Sequence, residues 1–386
     1  MKIISVVGAR PNFMKIAPFI KAIDEHNKQS SKPIQHTLVH TGQHYDDRMS
    51  QSFFEALNIP NADINLGIGS GSHAEQVGKT MMEFEKVLMN EKPDWVVVVG
   101  DVNATLACSV TAKKEKIKCC HIEAGLRSND MDMPEEINRL VTDRLSDLLL
   151  YPDKISGKNL MNEGVPENNR VFVGNIMIDT LELNKDKASR LQIDQILNDN
   201  ALEDYQSPRN FRITDTDKFG IITMHRPSNV DNKDVLEPLT DFLCKEACSN
   251  IKLIWPIHPR TRNRLKEFNL LNNVLACNNI QLLHPIGYHE MLRLNIDAKI
   301  MLTDSGGLQE ECTVLGTPCL TLRWNTERPV TLIEHGGASV LVGNNIGRIR
   351  TEFFETLSKN RKPVKPELWD GKAAIRCLKA IINYSA

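Results

Sequence analysis

The stretch WVVVVGDVNATLACSVTAKKEKIKCCHIEAG, residues 95–125, decides the fold. It opens on an uninterrupted apolar run, Trp95–Val99, and ends on a second strand-like run, KCCHI, residues 118–122. Between them, residues 104–115 carry the spacing of an amphipathic helix. A strand with one wet face alternates apolar and polar residues, whereas a continuous apolar run is covered on both faces. Strand, helix and strand in this order predict the crossover unit of a parallel sheet. Each strand also delivers an acidic residue to its carboxyl end, Asp101 after the first and Glu123 after the second.

The same alternation extends outward. Strand-like runs lie at 2–7, 36–40 and 148–151, with helical stretches at 12–26, 49–57 and 73–89. Another run at 171–174 leads into a helical stretch, and a polar, turn-rich segment spans 197–217. The pattern then restarts with runs at 219–224, 251–256, 280–283, 298–302, 318–322 and 338–342. This predicts an α/β protein of two doubly wound, Rossmann-like domains, residues 1–174 and 175–367. A last amphipathic helix, within 368–386, is expected to return to the first domain.

The chain of 386 residues is 41% hydrophobic and 25% charged, ordinary for a soluble globular enzyme. A formal net charge of -2 provides no global field for nucleic acid or an anionic membrane, so any polyanion needs a local site. Nine cysteines, an odd count without a CxxC pair, predict free thiols in a reducing compartment and no zinc site. No apolar stretch approaches the roughly 20 residues of a membrane span. With no secretory pattern at the N-terminus, a cytoplasmic protein is expected.

In doubly wound sheets ligands bind beyond the carboxyl ends of the strands, so chemistry is sought there. After the first strand, GARPNFMK supplies Gly8, Arg10 and Lys15. Asp101 reads in part as a helix N-cap. Glu123, next to a buried strand, is expected to be desolvated, with a raised pKa suited to acid–base work; the bland alternative is an ion pair to Arg127 or Arg139. A helix beginning at Pro134 places Glu135 and Glu136 in its first turn, where the dipole favours anions.

In the second half, His225 and Arg226 end one strand, and His258, Arg260 and Arg262 follow the next. The sharpest local signal is MLTDSGGLQEE, residues 301–311, in which Ser305, Gly306 and Gly307 open a helix whose free amides form an anion site. Glu311 lies one turn inside and suits ribose hydroxyls better than phosphate; Glu327 and Arg328 follow the next strand. Two motifs are set aside. Gly69–Ala74 fits GxGxxA but lacks the preceding strand of a dinucleotide site. The Asp130-Met-Asp132 pair reads as a solvated loop, so no metal and no cofactor is expected.

Taken in order, GARPNFMK, TGQHYD, GDVNAT, HIEAGLRS, MPEEINR, VGNIMID, MHRPSN, HPRTR, TDSGGLQEE and TERP resemble the non-hydrolysing UDP-N-acetylglucosamine 2-epimerases, from Ile3 to about Gly343. The resemblance implies a glycosyltransferase-B fold with an interdomain cleft. UDP is then held mainly by the second domain, with Ser305, Gly306 and Gly307 on the diphosphate. Arg10, Lys15, His225 and Arg328 would support the diphosphate, and Glu311 the ribose. It makes Asp101, Glu123, Glu135 and His225 the catalytic set, and places Ile286, Tyr288 and Met291 near the base. It matches Gln43, His44 and Glu136 to a second, regulatory substrate site. It further implies a homodimer whose partners are a UDP-sugar and UDP. The hydrolysing epimerases remain an alternative, and the TGQHYD and GSGSHAEQ segments are also similar to epimerases of UDP-2,3-diacetamido-glucuronic acid. A glycosyltransferase, or a nucleotide-sugar binder without turnover, is a more distant reading.

Overall fold

A computed structural model describes residues 1–42, 61–204, 211–214 and 217–385. The chain forms two compact units, Met1–Leu183 with Pro366–Ala386, and Asn184–Lys365. Both are α/β, with parallel sheets and Rossmann-like order.

The first unit runs β1 (Lys2–Val7), α1 (Arg10–Gln29), β2 (Gln35–His40), β3 (Ile64–Asn65), α2 (His73–Glu91), β4 (Trp95–Val99), α3 (Asn103–Lys114) and β5 (Lys118–Ile122). It continues with α4 (Pro134–Leu145), β6 (Leu148–Tyr151), α5 (Lys154–Asn162), β7 (Arg170–Phe172) and α6 (Ile176–Ser189). Its seven strands, all parallel, lie in the order β3-β2-β1-β4-β5-β6-β7. Every residue of β4 is buried, as its unbroken apolar run requires of a strand covered on both faces. The two-residue β3 lies in a polar stretch with no apolar run and escapes the sequence reading.

The second unit runs α7 (Ile193–Asp199), β8 (Phe219–Thr223), α8 (Pro227–Val230), α9 (Lys233–Lys245), β9 (Lys252–Pro256), α10 (Pro259–Glu267), α11 (Leu271–Ala276) and β10 (Ile280–Leu283). Then follow α12 (Tyr288–Asp297), β11 (Ile300–Thr303), α13 (Gly306–Leu315), β12 (Cys319–Thr321), β13 (Ser339–Leu341) and α14 (Ile346–Ser358). The six strands take the order β10-β9-β8-β11-β12-β13, again parallel.

The units divide inside α6, after Leu183, rather than at Gly174. The first turns of α6 explain this: Ile176, Met177, Ile178 and Leu181 are buried, and the Thr180 hydroxyl donates to the Met14 carbonyl at 2.5 Å. The last helix, α15 (Ala373–Ser385), packs on α1. Its first amides, Ala373 and Ala374, donate to Asp179 of α6 at 3.0 and 2.7 Å, so an aspartate from another helix supplies its cap.

Both sheets reverse their strand order at one point, between β1 and β4 in the first unit and between β8 and β11 in the second. At such a switch point the two flanking connections leave in opposite directions and open a crevice. The segments after β1, β4, β8 and β11 are those that carry the ionisable residues singled out in the sequence.

Candidate active-site residues

In the first unit the ends of β1, β4 and β5 bring Lys15, Gly100 and Glu123 together. Asn12 fixes the turn into α1: its Oδ1 accepts from the amides of Gly8 and Ala9, and its Nδ2 donates to the Val99 carbonyl at 2.9 Å. One turn on, Lys15 makes a short ion pair with Oε2 of Glu123, and both side chains are almost wholly buried. Gly100 makes room, since a Cβ there would lie 3.2 Å from Lys15 Nζ and 3.4 Å from Glu123 Oε2. Glu123 itself holds the left-handed backbone region, φ 76°, unfavourable for a residue with a Cβ. Its amide and that of Ala124 both donate to Leu150 O, which anchors the turn.

The partners expected of Glu123 are engaged elsewhere. Arg127 pairs with Asp143 and Glu163, each at 2.7 Å. Arg139 spans Asp101 and Glu136, each at 2.5 Å. Asp101 is therefore not an N-cap: Val102 holds that position on α3, and the Asp101 carboxylate faces Arg139.

The two glutamates at the start of α4 differ sharply. Glu135 is exposed and forms no hydrogen bond or ion pair among the described residues. Glu136 is 1% exposed and accepts from the amides of Ser128 and Asn129, the Ser128 hydroxyl and Arg139. Burial works to raise its carboxyl, but those donors hold it below the usual carboxylate range. Its oxygens are thus engaged by the chain's own donors. Gln43 and His44, matched with Glu136 to a regulatory substrate site, lie outside the described residues, as does the side chain of Arg10.

A buried pair that the sequence did not suggest lies beneath these strand ends. His121 has Nδ1 2.6 Å from Asp143 Oδ1 and Nε2 2.8 Å from the Gly100 carbonyl. Burial would raise the Asp143 carboxyl, but His121, Arg127 and the Gly125 amide hold it down. The strand end carrying Gly100 and Asp101 is thus tied to the one carrying Glu123.

In the second unit β8 and β11 are neighbours, paired Thr223 to Thr303, which sets His225 beside Asp304. Asp304 is fully buried. Its Oδ2 accepts from the amides of His225 and Arg226 and from Asn229, and its Oδ1 lies 2.9 Å from His225 Nδ1. Burial opposes the charge, but His225 and the two amides lower the Asp304 carboxyl below the usual range. His225 remains substantially exposed, with Nδ1 as the ring nitrogen turned to Asp304.

Ser305 is the N-cap of α13, with its amide donating to Thr303 Oγ1 at 3.0 Å. The amides of Gly306 and Gly307 fall among the first of the helix, which have no intrahelical partner. A Cβ on Gly306 would lie 2.7 Å from Arg328 Nη1 and 2.9 Å from Glu327 Oε1, whereas one on Gly307 meets nothing within 4 Å. Arg328 thus reaches the helix N-terminus, but as part of a buried cluster: it pairs with Glu310 at 2.8 Å and, more closely, with Glu327, and Arg323 pairs with Glu327 at 2.7 Å.

Glu311 is 3% exposed, and burial pushes its carboxyl up to about 7, partly offset by Tyr288 and reinforced by Glu310. Tyr288 is itself buried, with its hydroxyl near Glu311. Ile286 and Met291 are half-buried against the core of this unit. Of the HPRTR cations, Arg260 pairs with Asp231 and Arg262 with Asp204, so both are structural. Asp130 accepts from the Asp132 amide at 3.1 Å, a local turn.

Residues 26–382 match the family model described as UDP-N-acetylglucosamine 2-epimerase. The chain belongs to the UDP-N-acetylglucosamine 2-epimerase family. It is 42% identical over 385 residues to the UDP-N-acetylglucosamine 2-epimerase of Methanocaldococcus jannaschii, covering 100% of this chain and 99% of that one. It is 38% identical over 344 residues to the UDP-2,3-diacetamido-2,3-dideoxy-D-glucuronate 2-epimerase of Pseudomonas aeruginosa, covering 89% and 88%. The crystal structure of the M. jannaschii enzyme in complex with UDP-GlcNAc and UDP superposes with a TM-score of 0.86, at 41% identity and full coverage of both chains. Family membership and the paired Rossmann-like units agree with the reading of the sequence. All nine cysteines are free thiols. Among the described residues no helix is long and apolar enough to cross a membrane.

Proposed function

We propose that the protein interconverts UDP-N-acetylglucosamine and UDP-N-acetylmannosamine without net hydrolysis. The C2 hydrogen of the sugar has no adjacent carbonyl, so direct deprotonation is very unfavourable. Loss of UDP from C1 coupled to loss of the C2 proton gives 2-acetamidoglucal, and re-addition with protonation of the other face gives the epimer. Two faces call for two proton-transfer groups, and a departing diphosphate calls for donors and cations.

The second unit is assigned nucleotide binding: Ser305, Gly306, Gly307 and Arg328 on the diphosphate, Glu311 toward the ribose, Ile286 and Met291 toward the base. The first unit is assigned the proton chemistry through Glu123 and Glu135, with Asp101 in support, and His225 assists the leaving diphosphate. The observation that carries this reading is the contrast on one β5–α4 connection between Glu123, buried against Lys15, and Glu135, open to water. Two carboxylates in unlike environments suit unlike proton-transfer roles. A homodimer is expected, to be checked by sedimentation.

The M. jannaschii relative favours the N-acetylglucosamine substrate and the P. aeruginosa relative favours a diacetamido-glucuronate one. Incubation with each UDP-sugar, followed by proton NMR, decides both questions. UDP-ManNAc from UDP-GlcNAc, with UDP remaining catalytic, is the expected result. Accumulating UDP and free N-acetylmannosamine would identify a hydrolysing enzyme instead.

A further inference from the structure

The Lys15–Glu123 pair joins residues 108 positions apart, and neither side chain is open to bulk water. Three features of the fold hold it. Asn12 locks the turn before Lys15, Gly100 leaves the space a side chain would fill, and the amides of Glu123 and Ala124 pin a backbone turn that disfavours any residue with a Cβ. A carboxylate this buried without a cation would take up a proton and could not accept one. A lysine this buried is also poorly placed as a general electrostatic lure for a ligand.

We propose that Lys15 is a positioning residue that keeps Glu123 ionised as the proton acceptor, acting through that carboxylate and not by holding the nucleotide. The inference rests on the reading of Glu123 as a proton-transfer group. In the gluco-to-manno direction the C2–H bond breaks and its proton passes to a Glu123 oxygen. The bonding pair becomes the C1–C2 double bond while the C1–O pair leaves with UDP. On return the C1–O bond re-forms, and C2 takes a proton on its other face from Glu135; before the next turnover Glu123 gives its proton up to water and Glu135 takes one from water.

The test compares Lys15→Met, Glu123→Gln and the double variant in the full chain, measuring kcat on UDP-GlcNAc and UDP affinity by calorimetry. Lys15→Met should lower kcat by about 100-fold, the scale of an acid–base contribution, and leave UDP affinity within about twofold. The double variant should be no slower than Glu123→Gln alone, because both changes remove one function. A tenfold or greater loss of UDP affinity in Lys15→Met, or losses that multiply in the double variant, would overturn the inference. Where Lys15→Met fails to fold by circular dichroism, Lys15→Arg carries the comparison: with the charge kept, kcat should stay within about tenfold of wild type, and a fall as deep as that of Glu123→Gln counts against it. Wild-type turnover by Glu123→Gln would instead remove the underlying reading. An inactive Glu123→Gln beside a fully active Lys15→Met would remove only the role of Lys15.

Discussion

Asp304 lies wholly buried at the end of β11 with Oδ1 2.9 Å from Nδ1 of the exposed His225 at the end of β8. Nδ1 donates to the carboxylate, which fixes the ring and turns Nε2 away from Asp304. Asp304→Asn keeps the shape but removes the charge that orients the imidazole, and turns an amide toward backbone donors. Turnover should fall at least about tenfold, with a stability loss of about 1–3 kcal/mol. Steady-state kinetics and a denaturant melt check both. Unchanged kinetics would mean that Asp304 serves the fold alone.

Gly306 and Gly307 are adjacent in sequence and opposite in consequence. Gly306→Ala drives a methyl into the Arg328–Glu327 pair, while Gly307→Ala points into open space. The first should destabilise by about 1–3 kcal/mol and weaken UDP binding. The second should leave stability equal or slightly raised, because alanine is the better helix former by about 1 kcal/mol. Thermal melts and UDP calorimetry on the two variants separate them. Equal effects would remove the argument from close approach.

Arg328 is held by two carboxylates, so Arg328→Ala takes this cation from buried Glu310 and leaves Glu327 with Arg323. A loss of about 3 kcal/mol or more in stability is expected, on the scale of a broken buried pair. If Arg328 also faces the diphosphate, wild type prefers UDP over uridine and the variant, where folded, loses that preference. Calorimetry with both ligands is the check. Equal wild-type affinity for uridine and UDP would end the diphosphate assignment.

The sheets were legible because β4 is an apolar run and β5 a short strand-like one, closed by Gly100 and Glu123, so pattern alone marked their ends. The strand-end acids were legible for the same reason, since a charge directly after a buried run has few structural uses. Pairing was not. Glu123 has two arginines within sixteen residues, yet it takes Lys15 from α1, because the strand order β1-β4-β5 sets those ends side by side. His225 and Asp304 both stood out, but their contact depends on β8 and β11 being neighbours, a fact of topology and not of either motif. Glu135 and Glu136 share a chemistry and a helix turn. Only the rotation of α4 decides that one faces water and the other Arg139.

Two buried carboxyls set a sign for the pH dependence of stability. Burial raises Glu311 to about 7 and Asp179 to about 6. Between its unfolded value and its raised folded value, each group binds more protons in the folded state, so its effect on stability declines as pH rises through that window. Glu311→Gln removes one such group. It should melt higher than wild type at pH 8, with the difference shrinking toward pH 4.5, below which both states of Glu311 are protonated. Melting curves at several pH values check this. A difference that grows toward acid pH would reverse the sign and the argument.

The path of the C2 hydrogen tests the proton chemistry as a whole. A redox epimerase would hold the hydrogen as hydride on a bound nicotinamide and return the same atom. In the route proposed above it leaves as a proton to Glu123, and the proton that returns comes from Glu135. Because Glu135 is exposed, its proton exchanges with water before each re-addition. In heavy water, product UDP-ManNAc should therefore carry deuterium at C2 without any added cofactor. Glu123→Gln and Glu135→Gln should each slow turnover by at least about 100-fold with the fold kept. Glu135→Gln, which keeps the proton acceptor but lacks the returning proton, should also release 2-acetamidoglucal and UDP, since elimination then outlasts re-addition. Proton NMR after partial conversion reads all of this at once: loss of the C2 signal in the product, and the vinylic signal of the glucal in Glu135→Gln. Full retention of the original hydrogen would rule out the two-carboxylate route.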